Sequence, residues 1–437
     1  MSNISRVKIS ALGKTITGKT PSSNNPEDFG SDYMFVTPSD SFDKKMMNLT
    51  ERYLSEEGVQ KLSSKLLPPN SIMVTCIGSA MGKVSMNETS CVTNQQINSI
   101  VPNNNFDPHY IYYTIKNNYK VLRNAATGST AVPLLNKTDF DILELLIHKD
   151  LPTQKSIAKV LSDLDAKIEL NNRINRELEA MAKTLYDYWF VQFDFPVRTL
   201  SGVEGYKSSG GKMVYNAELK REIPEGWAVK QINTKVKIGS GFPFNSDDYS
   251  DTGKYKIITI KNVQEGYLET SSVDYVSFLP NNISDFCILK EGDILMSLTG
   301  NVGRMCFVDQ SNLLLNQRVG KLLGEKDFVT YAYFFFKRPE NQKRLEKIAG
   351  GSSQANLSPI DAVKDKFPIP TAPVLNNFTQ LVNPLLNQIL IKNQENQHLT
   401  ALRDWLLPML MNGQVTVKEV EEKLSMAAEP SVEYKKG

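Results

Sequence analysis

Four cysteines and three histidines are few for a chain of 437 residues. Cys76, Cys91, Cys287 and Cys306 show no C-x-x-C spacing and sit in apolar or turn contexts, so they read as reduced, structural thiols. His109, His148 and His398 do not pair with one another or with a cysteine at metal-ligand spacing, and no metal site is expected. A Ser-His-Asp triad assembles from distant segments, so counting does not remove it, but no G-x-S-x-G elbow supports one. Charge of one sign is also lacking: 50 Lys+Arg against 48 Asp+Glu leave +2, which names no partner. No apolar run approaches the roughly 18 residues that span a bilayer, and Met1-Ser2-Asn3-Ile4-Ser5-Arg6 lacks the apolar core of a secretory signal. The expectation is a cytoplasmic chain without a membrane anchor. The 41% hydrophobic and 22% charged residues are ordinary globular composition, enough for two to three domains.

One sharp motif fails its context. Gly13-Lys14-Thr15-Ile16-Thr17-Gly18-Lys19-Thr20 matches the phosphate-loop pattern G-x-x-x-x-G-K-[ST] letter for letter. That chemistry needs a helix beginning at the Lys-Thr, and here Pro21-Ser22-Ser23-Asn24-Asn25-Pro26 follows. Arg6 to Leu12 is a short and weakly apolar candidate strand, and no later strand offers an obvious magnesium carboxylate. The match is read as accidental.

Self-similarity is the organising feature. Ile72-Met73-Val74-Thr75-Cys76-Ile77-Gly78 resembles Ile294-Leu295-Met296-Ser297-Leu298-Thr299-Gly300, an offset of 294 − 72 = 222. Gly82-Lys83 and Gly303-Arg304 follow, then Asn94-Gln95-Gln96-Ile97 and Asn316-Gln317-Arg318-Val319, again 222 apart. Thr127-Gly128-Ser129-Thr130 answers Gly350-Gly351-Ser352-Ser353. Each half opens with short β-rich runs (Ile257 to Ile260, Asp293 to Leu298) and some helix, such as Tyr331 to Ile348, and closes with a long helix.

The long helices carry a seven-residue stripe. In the first, Leu161, Leu164, Ile168, Leu178, Ala182, Leu185 and Trp189 share a seam with Asn171 and Asn175. In the second, Phe378, Val382, Leu385, Ile389, Leu399, Leu406 and Leu410 keep it, with Lys392, Asn396 and Arg403 as its polar members. An offset of 382 − 161 = 221 makes Asn175 and Asn396 equivalent. Each helix would be roughly 55 Å long at 1.5 Å per residue, packed as a coiled coil with asparagines setting register. The alternative is that each stripe buries against its own domain. Pro384 predicts a kink or a late start in the second helix.

The expected divisions are 1–150 and 225–370 for two mixed domains, 151–192 and 371–412 for the helices, 193–224 for a Gly/Pro-rich linker, and 413–437 for a C-terminal tail. The fold class is α+β: two mixed domains joined by two long antiparallel coiled-coil helices, with an internal pseudo-twofold repeat.

Two equivalent modules on a spacer suit a ligand with two sites at fixed distance, and duplex DNA is the natural candidate. Nine Lys/Arg against five acids lie between Arg304 and Lys347, and helical spacing puts Lys337, Arg344 and Lys347 near one face, suited to phosphates or simply solvated. The polar glycine-rich loops are the candidates for base edges. Chosen by loop position and residue type, the DNA-binding candidates are Lys19, Ser79, Lys83, Gln95, Gln96, Ser129, Thr130, Asn301, Arg304, Gln317, Arg318, Lys337, Arg344, Lys347, Ser352, Ser353 and Gln354.

The run from Leu151-Pro152-Thr153-Gln154-Lys155-Ser156-Ile157 through Asp163-Leu164-Asp165-Ala166-Lys167-Ile168-Glu169 and Asn171-Asn172-Arg173-Ile174-Asn175 to Trp189-Phe190-Val191-Gln192-Phe193-Asp194 resembles the central conserved region of DNA-specificity subunits of Type I restriction-modification systems. Ile223-Pro224-Glu225-Gly226-Trp227 looks like the opening of their second target-recognition domain, and Gly18-Lys19-Thr20-Pro21-Ser22 like an early segment of the first. Leu151-Pro152 and Ile369-Pro370 each lead into a long helix, as in that family. After Ile369-Pro370-Thr371-Ala372-Pro373 the second half departs: Val374-Leu375-Asn376-Asn377 lacks the glutamine found at Gln154, which puts details of subunit docking there in doubt.

The resemblance implies that each domain reads one half of a split DNA sequence while the helices set the gap. Two modification subunits would dock and methylate adenine with S-adenosylmethionine, and two restriction subunits would add ATP- and magnesium-dependent translocation and cleavage. No cofactor is expected on this chain, and it lacks an [DNS]-P-P-[YFW] methyltransferase motif. The implied role is recognition without catalysis. The alternatives are the recognition subunit of another restriction class, which its partner's sequence would decide, a coiled-coil scaffold, which would need no duplicated loop-bearing domains, and a nucleotide hydrolase dependent on Lys19.

Overall fold

The repeat in sequence is a repeat of strand pairing. In the computed structural model, which describes residues 4–42, 44–78, 81–126, 133–197, 207–208, 211–350 and 355–428, the chain forms two compact units. Unit 1 comprises Met1–Ile168 and His398–Gly437; unit 2 comprises Glu169–Gln397.

In unit 1 a five-stranded sheet runs in the order Gly13–Thr17, Ile97–Pro102, Ile72–Thr75, Val84–Asn87, Met46–Met47. In unit 2 the corresponding order is Val236–Ser240, Val319–Gly324, Ile294–Ser297, Met305–Phe307. The register is conserved between them: Met73 opposes Ser99 as Leu295 opposes Lys321, and Thr75 opposes Ile97 as Ser297 opposes Val319. A second sheet in each unit holds the same parallel pair, Phe29–Val36 with Cys91–Thr93 and Tyr255–Ile258 with Leu313–Leu315.

Burial on both faces explains why the repeated strand is apolar throughout. Ile72 and Val74 join one core while Met73 joins another under the second sheet; Ile294 and Met296 are divided from Leu295 in the same way. The four cysteines are free and buried, and burial pushes the thiols of Cys76 and Cys91 up to about 11 and about 12. No described helix is long and apolar enough to cross a membrane.

The two long helices run over Leu151–Tyr186 and Ala372–Met411. In unit 2 they lie antiparallel, since Asn172 accepts from Asn396 at 2.8 Å while Asn175 donates to Asn393 at 2.7 Å. With the 221 offset these pairs are twofold equivalents of each other, so Asn396 meets Asn172 (and Asn171, 2.9 Å) rather than Asn175. In unit 1 the seam holds Asp165 against Arg403 at 2.8 Å, both largely buried. The apolar stripe serves helix pairing and domain packing together. Leu161, Leu164, Leu406 and Leu410 join the unit 1 core with Ile9 and Tyr113. Val382, Ile389 and Phe378 join the unit 2 core with Met296 and Phe334, and Leu178, Leu185 and Leu385 pack against it. Leu399 packs partly buried in unit 1, and Ile168 is partly buried.

Several expectations are corrected. The second helix does not start late but runs through Pro384: Pro384 and Gln380, whose carbonyl the proline deprives of a donor, are both exposed, where solvent can serve that carbonyl. Tyr331 to Ile348 is not one helix. It divides into Lys326–Lys337 and Pro339–Ala349 because Pro339 forces Arg338 into extended backbone. The span read as a linker contains two antiparallel strand pairs, Pro196–Val197 with Lys207–Ser208 and Met213–Asn216 with Arg221–Pro224, and its Phe193, Phe195 and Ile223 are buried. Within the span read as tail, Val417–Ala428 is helical, with Val420 in the unit 1 core. Gln154 is fully buried, donating to the His148 carbonyl at 2.7 Å and accepting from the Asp107 N–H at 2.9 Å. Its absence in the second half, where Leu375 is buried in apolar packing, concerns internal structure and not a docking face.

Candidate nucleic-acid interface

In each unit three segments converge on one end of the larger sheet, and their backbone bonds match pair by pair. In unit 1 the Cys76 N–H donates to the Gln96 carbonyl (2.8 Å), Gly78 to Pro133 (3.0 Å), and Gly82 to Thr75 (2.7 Å). In unit 2 Leu298 donates to Arg318 (3.1 Å), Gly300 to Ala355 (3.1 Å), and Gly303 to Ser297 (2.9 Å). The glycines are required by conformation: Gly78 and Gly300 have φ of 77° and 70°, and Gly82 and Gly303 of 89° and 82°.

The third segment is the Asn-Gln loop. Asn94 is buried, and its Oδ1 accepts from the Gln96 N–H at 3.0 Å; buried Asn316 accepts from the Arg318 N–H at 3.3 Å. This side-chain-to-backbone turn is what asparagine supplies two residues ahead of its N–H donor. Gly18 and Gly241 press against these loops. A Cβ on Gly18 would lie 2.1 Å from the Thr93 carbonyl oxygen, and on Gly241 2.3 Å from that of Leu315. Gly18-Lys19-Thr20 is therefore a strand exit, with Gly13–Thr17 itself a sheet strand and no helix at Lys19-Thr20, so the phosphate-loop match has no phosphate-loop geometry.

The side chains on this frame are polar and mostly exposed. Lys19, Lys83 and Gln95 are exposed and Gln96 partly so; Thr20 donates to Gln95 Oε1 at 2.7 Å. In unit 2 Asn301, Gln317 and Arg318 are exposed. Arg304 is half-buried and donates to Gln264 at 3.0 Å, which fixes its guanidinium. Arg318 and Gln317, with Lys261, Asn262, Asp274 and Tyr275, line a polar hollow of about 720 Å³. Gln264 and Lys261 were not singled out from sequence; their place beside Arg304 and Arg318 appears only when distant loops meet.

The basic stripe does not survive as one face. Lys337 ends one helix, and Arg344 and Lys347 belong to the next. Lys337 points inward, its ammonium bonded to Glu179 and 2.5 Å from Glu265, and those carboxylates outweigh burial and raise its pKa. Arg344 pairs with Asp365 at 2.5 Å and donates to the Ala362 carbonyl at 2.8 Å, and burial lowers its pKa. Lys347 is exposed. Ser79, Ser129, Thr130, Ser352, Ser353 and Gln354 lie outside the described residues.

Residues 1–180 and 224–401 match the family described as Type I restriction modification DNA specificity domain. The chain is 28% identical over 428 residues to the MjaIX specificity subunit of a Type I restriction enzyme from Methanocaldococcus jannaschii, covering 94% of each chain. It is 24% identical to the MjaVIII specificity subunit of the same organism, covering 95% of this chain and 93% of the relative. Its fold is similar to the crystal structure of the Type I restriction-modification S subunit from M. genitalium, with a TM-score of 0.53 and 16% identity over 94% and 96% of the two chains. Two matched spans, each taking in a domain and most of a long helix, place the duplication within the family's own domain, and the chain belongs to the Type I restriction-modification DNA-specificity family.

Proposed function

We infer that this chain is the sequence-recognition subunit of a Type I restriction-modification complex, binding a bipartite DNA target and directing adenine methylation and restriction by partner subunits. The observation that carries it is the duplicated loop frame: two domains of one topology present different polar side chains on the same hydrogen-bonded scaffold. A scaffold protein has no need of such loops, whereas split DNA recognition requires a pair of them. Lys19, Lys83, Gln95, Gln96, Asn301, Arg304, Gln317 and Arg318 are the proposed DNA contacts, with Lys347 as an outlying phosphate contact. Lys337 and Arg344 are withdrawn from that set because their charges are satisfied within unit 2.

The chain works in the cytoplasm without a cofactor of its own. S-adenosylmethionine belongs to two modification subunits, and ATP and magnesium to two restriction subunits. The test is the methylome of a methylation-free bacterial host expressing this chain with its cognate modification subunit. A split adenine-methylated motif that vanishes when this chain is omitted is the expected result. An unmethylated genome, with the complex shown to assemble, would overturn the reading.

A further inference from the structure

The two recognition frames agree in nearly every backbone bond and in the first two loop residues, Asn94-Gln95 and Asn316-Gln317, but diverge at the third. That third residue is held at both of its backbone groups in each unit. Its N–H is held by the asparagine Oδ1 two residues earlier, and its carbonyl by the N–H of Cys76 or Leu298 at the end of the central strand. Its Cα and Cβ direction are thus fixed equally in both units, while the side chain is free to differ: Gln96 in one, Arg318 in the other. A position with an invariant backbone, a variable polar side chain and access to solvent has the properties a base-reading position needs.

The chemistry of the two side chains differs in the way major-groove readout distinguishes purines. A glutamine amide offers one acceptor and one donor, matching adenine N6 and N7; a guanidinium offers two parallel donors, matching guanine O6 and N7. Gln96 is oriented by Asn94, whose amide donates to its Oε1 at 3.3 Å, leaving Nε2 and a second lone pair of the oxygen for a ligand. Arg318 stands exposed at the rim of the polar hollow beside Lys261 and Asn262.

We propose that residues 96 and 318 are the equivalent specificity-determining positions of the two domains, Gln96 selecting an adenine in one half-site and Arg318 a guanine in the other. The assignment rests on the recognition function inferred above and adds to it which residue reads which base.

The experiment expresses the full chain with its cognate modification subunit in a methylation-free host and reads the methylated motif by single-molecule sequencing. The chains are wild type, Gln96→Arg, Arg318→Gln and Arg318→Lys. Arg318→Gln is expected to relax one guanine in a single half of the motif by about tenfold or more, the worth of a bidentate base contact. Gln96→Arg moves one adenine of the other half toward guanine. Arg318→Lys keeps the charge but loses the planar fork; its ammonium can still donate to guanine O6 and N7, so it is expected to weaken the guanine preference less than glutamine does. A split wild-type motif that all three variants leave unchanged overturns the inference, as does an Arg318→Lys chain that keeps full guanine preference while Arg318→Gln weakens every position uniformly. A wild-type chain that directs no methylation in an assembled complex overturns the recognition function itself, an outcome distinct from both.

Discussion

Replacing Lys337 by methionine separates two physical readings of one charge. The ammonium is bonded to Glu179 and lies 2.5 Å from Glu265, and Glu179 also accepts the Tyr333 hydroxyl at 2.5 Å. The Lys337 and Glu179 side chains are 15% and 24% exposed, so the pair is largely desolvated. Removing one member of a fully buried pair costs about 3–5 kcal/mol, because the other is left uncompensated. Glu179 keeps the tyrosine and some solvent, which brings the expectation to about 2–3 kcal/mol. For a unit of this size that is a fall in melting temperature of about 5–10 °C. Glu179→Gln retains an acceptor for Tyr333, costs less, and in the double variant should return part of the loss, a coupling of about 1 kcal/mol or more. DNA binding by the full chain, measured against salt, should keep its slope. A Lys337→Met chain with unchanged melting temperature, and with the slope of log K against log salt reduced by about 0.9, would refute the reasoning and return Lys337 to the phosphate contacts.

Gly241→Ala should abolish recognition of one half-site and Gly18→Ala of the other, because each new Cβ meets backbone carbonyls at 2.1–2.4 Å and must displace the Asn-Gln loop; methylome sequencing of each variant checks that only one half is lost. Asp309 is 3% exposed, its Oδ1 has no hydrogen-bond partner among the described residues, and burial pushes its carboxyl from 3.8 up to about 6. The folded state thus holds a proton that the unfolded chain releases between pH 3.8 and 6. At about 1.4 kcal/mol per pH unit, wild type forgoes about 3 kcal/mol above pH 6 and regains it as pH falls toward 4. Asp309→Asn should therefore be the more stable chain at pH 7.5, with the gap closing by pH 4 in denaturant titrations.

What could be read in the sequence was what repeats or has a short period. Ile72 to Gly78 and Ile294 to Gly300 declared the duplication because the central strand keeps one register against the same neighbour in both units. The long helices declared themselves by their stripe, although which asparagines meet depended on an antiparallel offset that a single strand of letters does not contain. Pairings across great sequence distance were invisible. Lys337 lies 158 residues from Glu179, so a count of local charges placed it among the phosphate-contacting candidates. Some signals were present and passed over. Thr416 and Glu419 form a reciprocal capping box, Thr416 N–H to Glu419 at 2.7 Å and Glu419 N–H to Thr416 at 3.3 Å, announcing the helix in the supposed tail. Pro339 announced the break after Lys337, and Phe193, Phe195 and Ile223 marked buried anchors in the supposed linker.

The order in which the chain leaves the ribosome does not match the order in which its cores can close. Every residue of unit 2 lies in one stretch, Glu169–Gln397, while unit 1 needs Leu406, Leu410 and Val420 to complete a core begun by Ile9 and Leu12. At about 5–20 residues per second of synthesis, the first domain waits for about 13–50 s with part of its apolar surface uncovered. The half made first is therefore the half finished last, and the interval falls where chaperones and proteases have most opportunity to act on it.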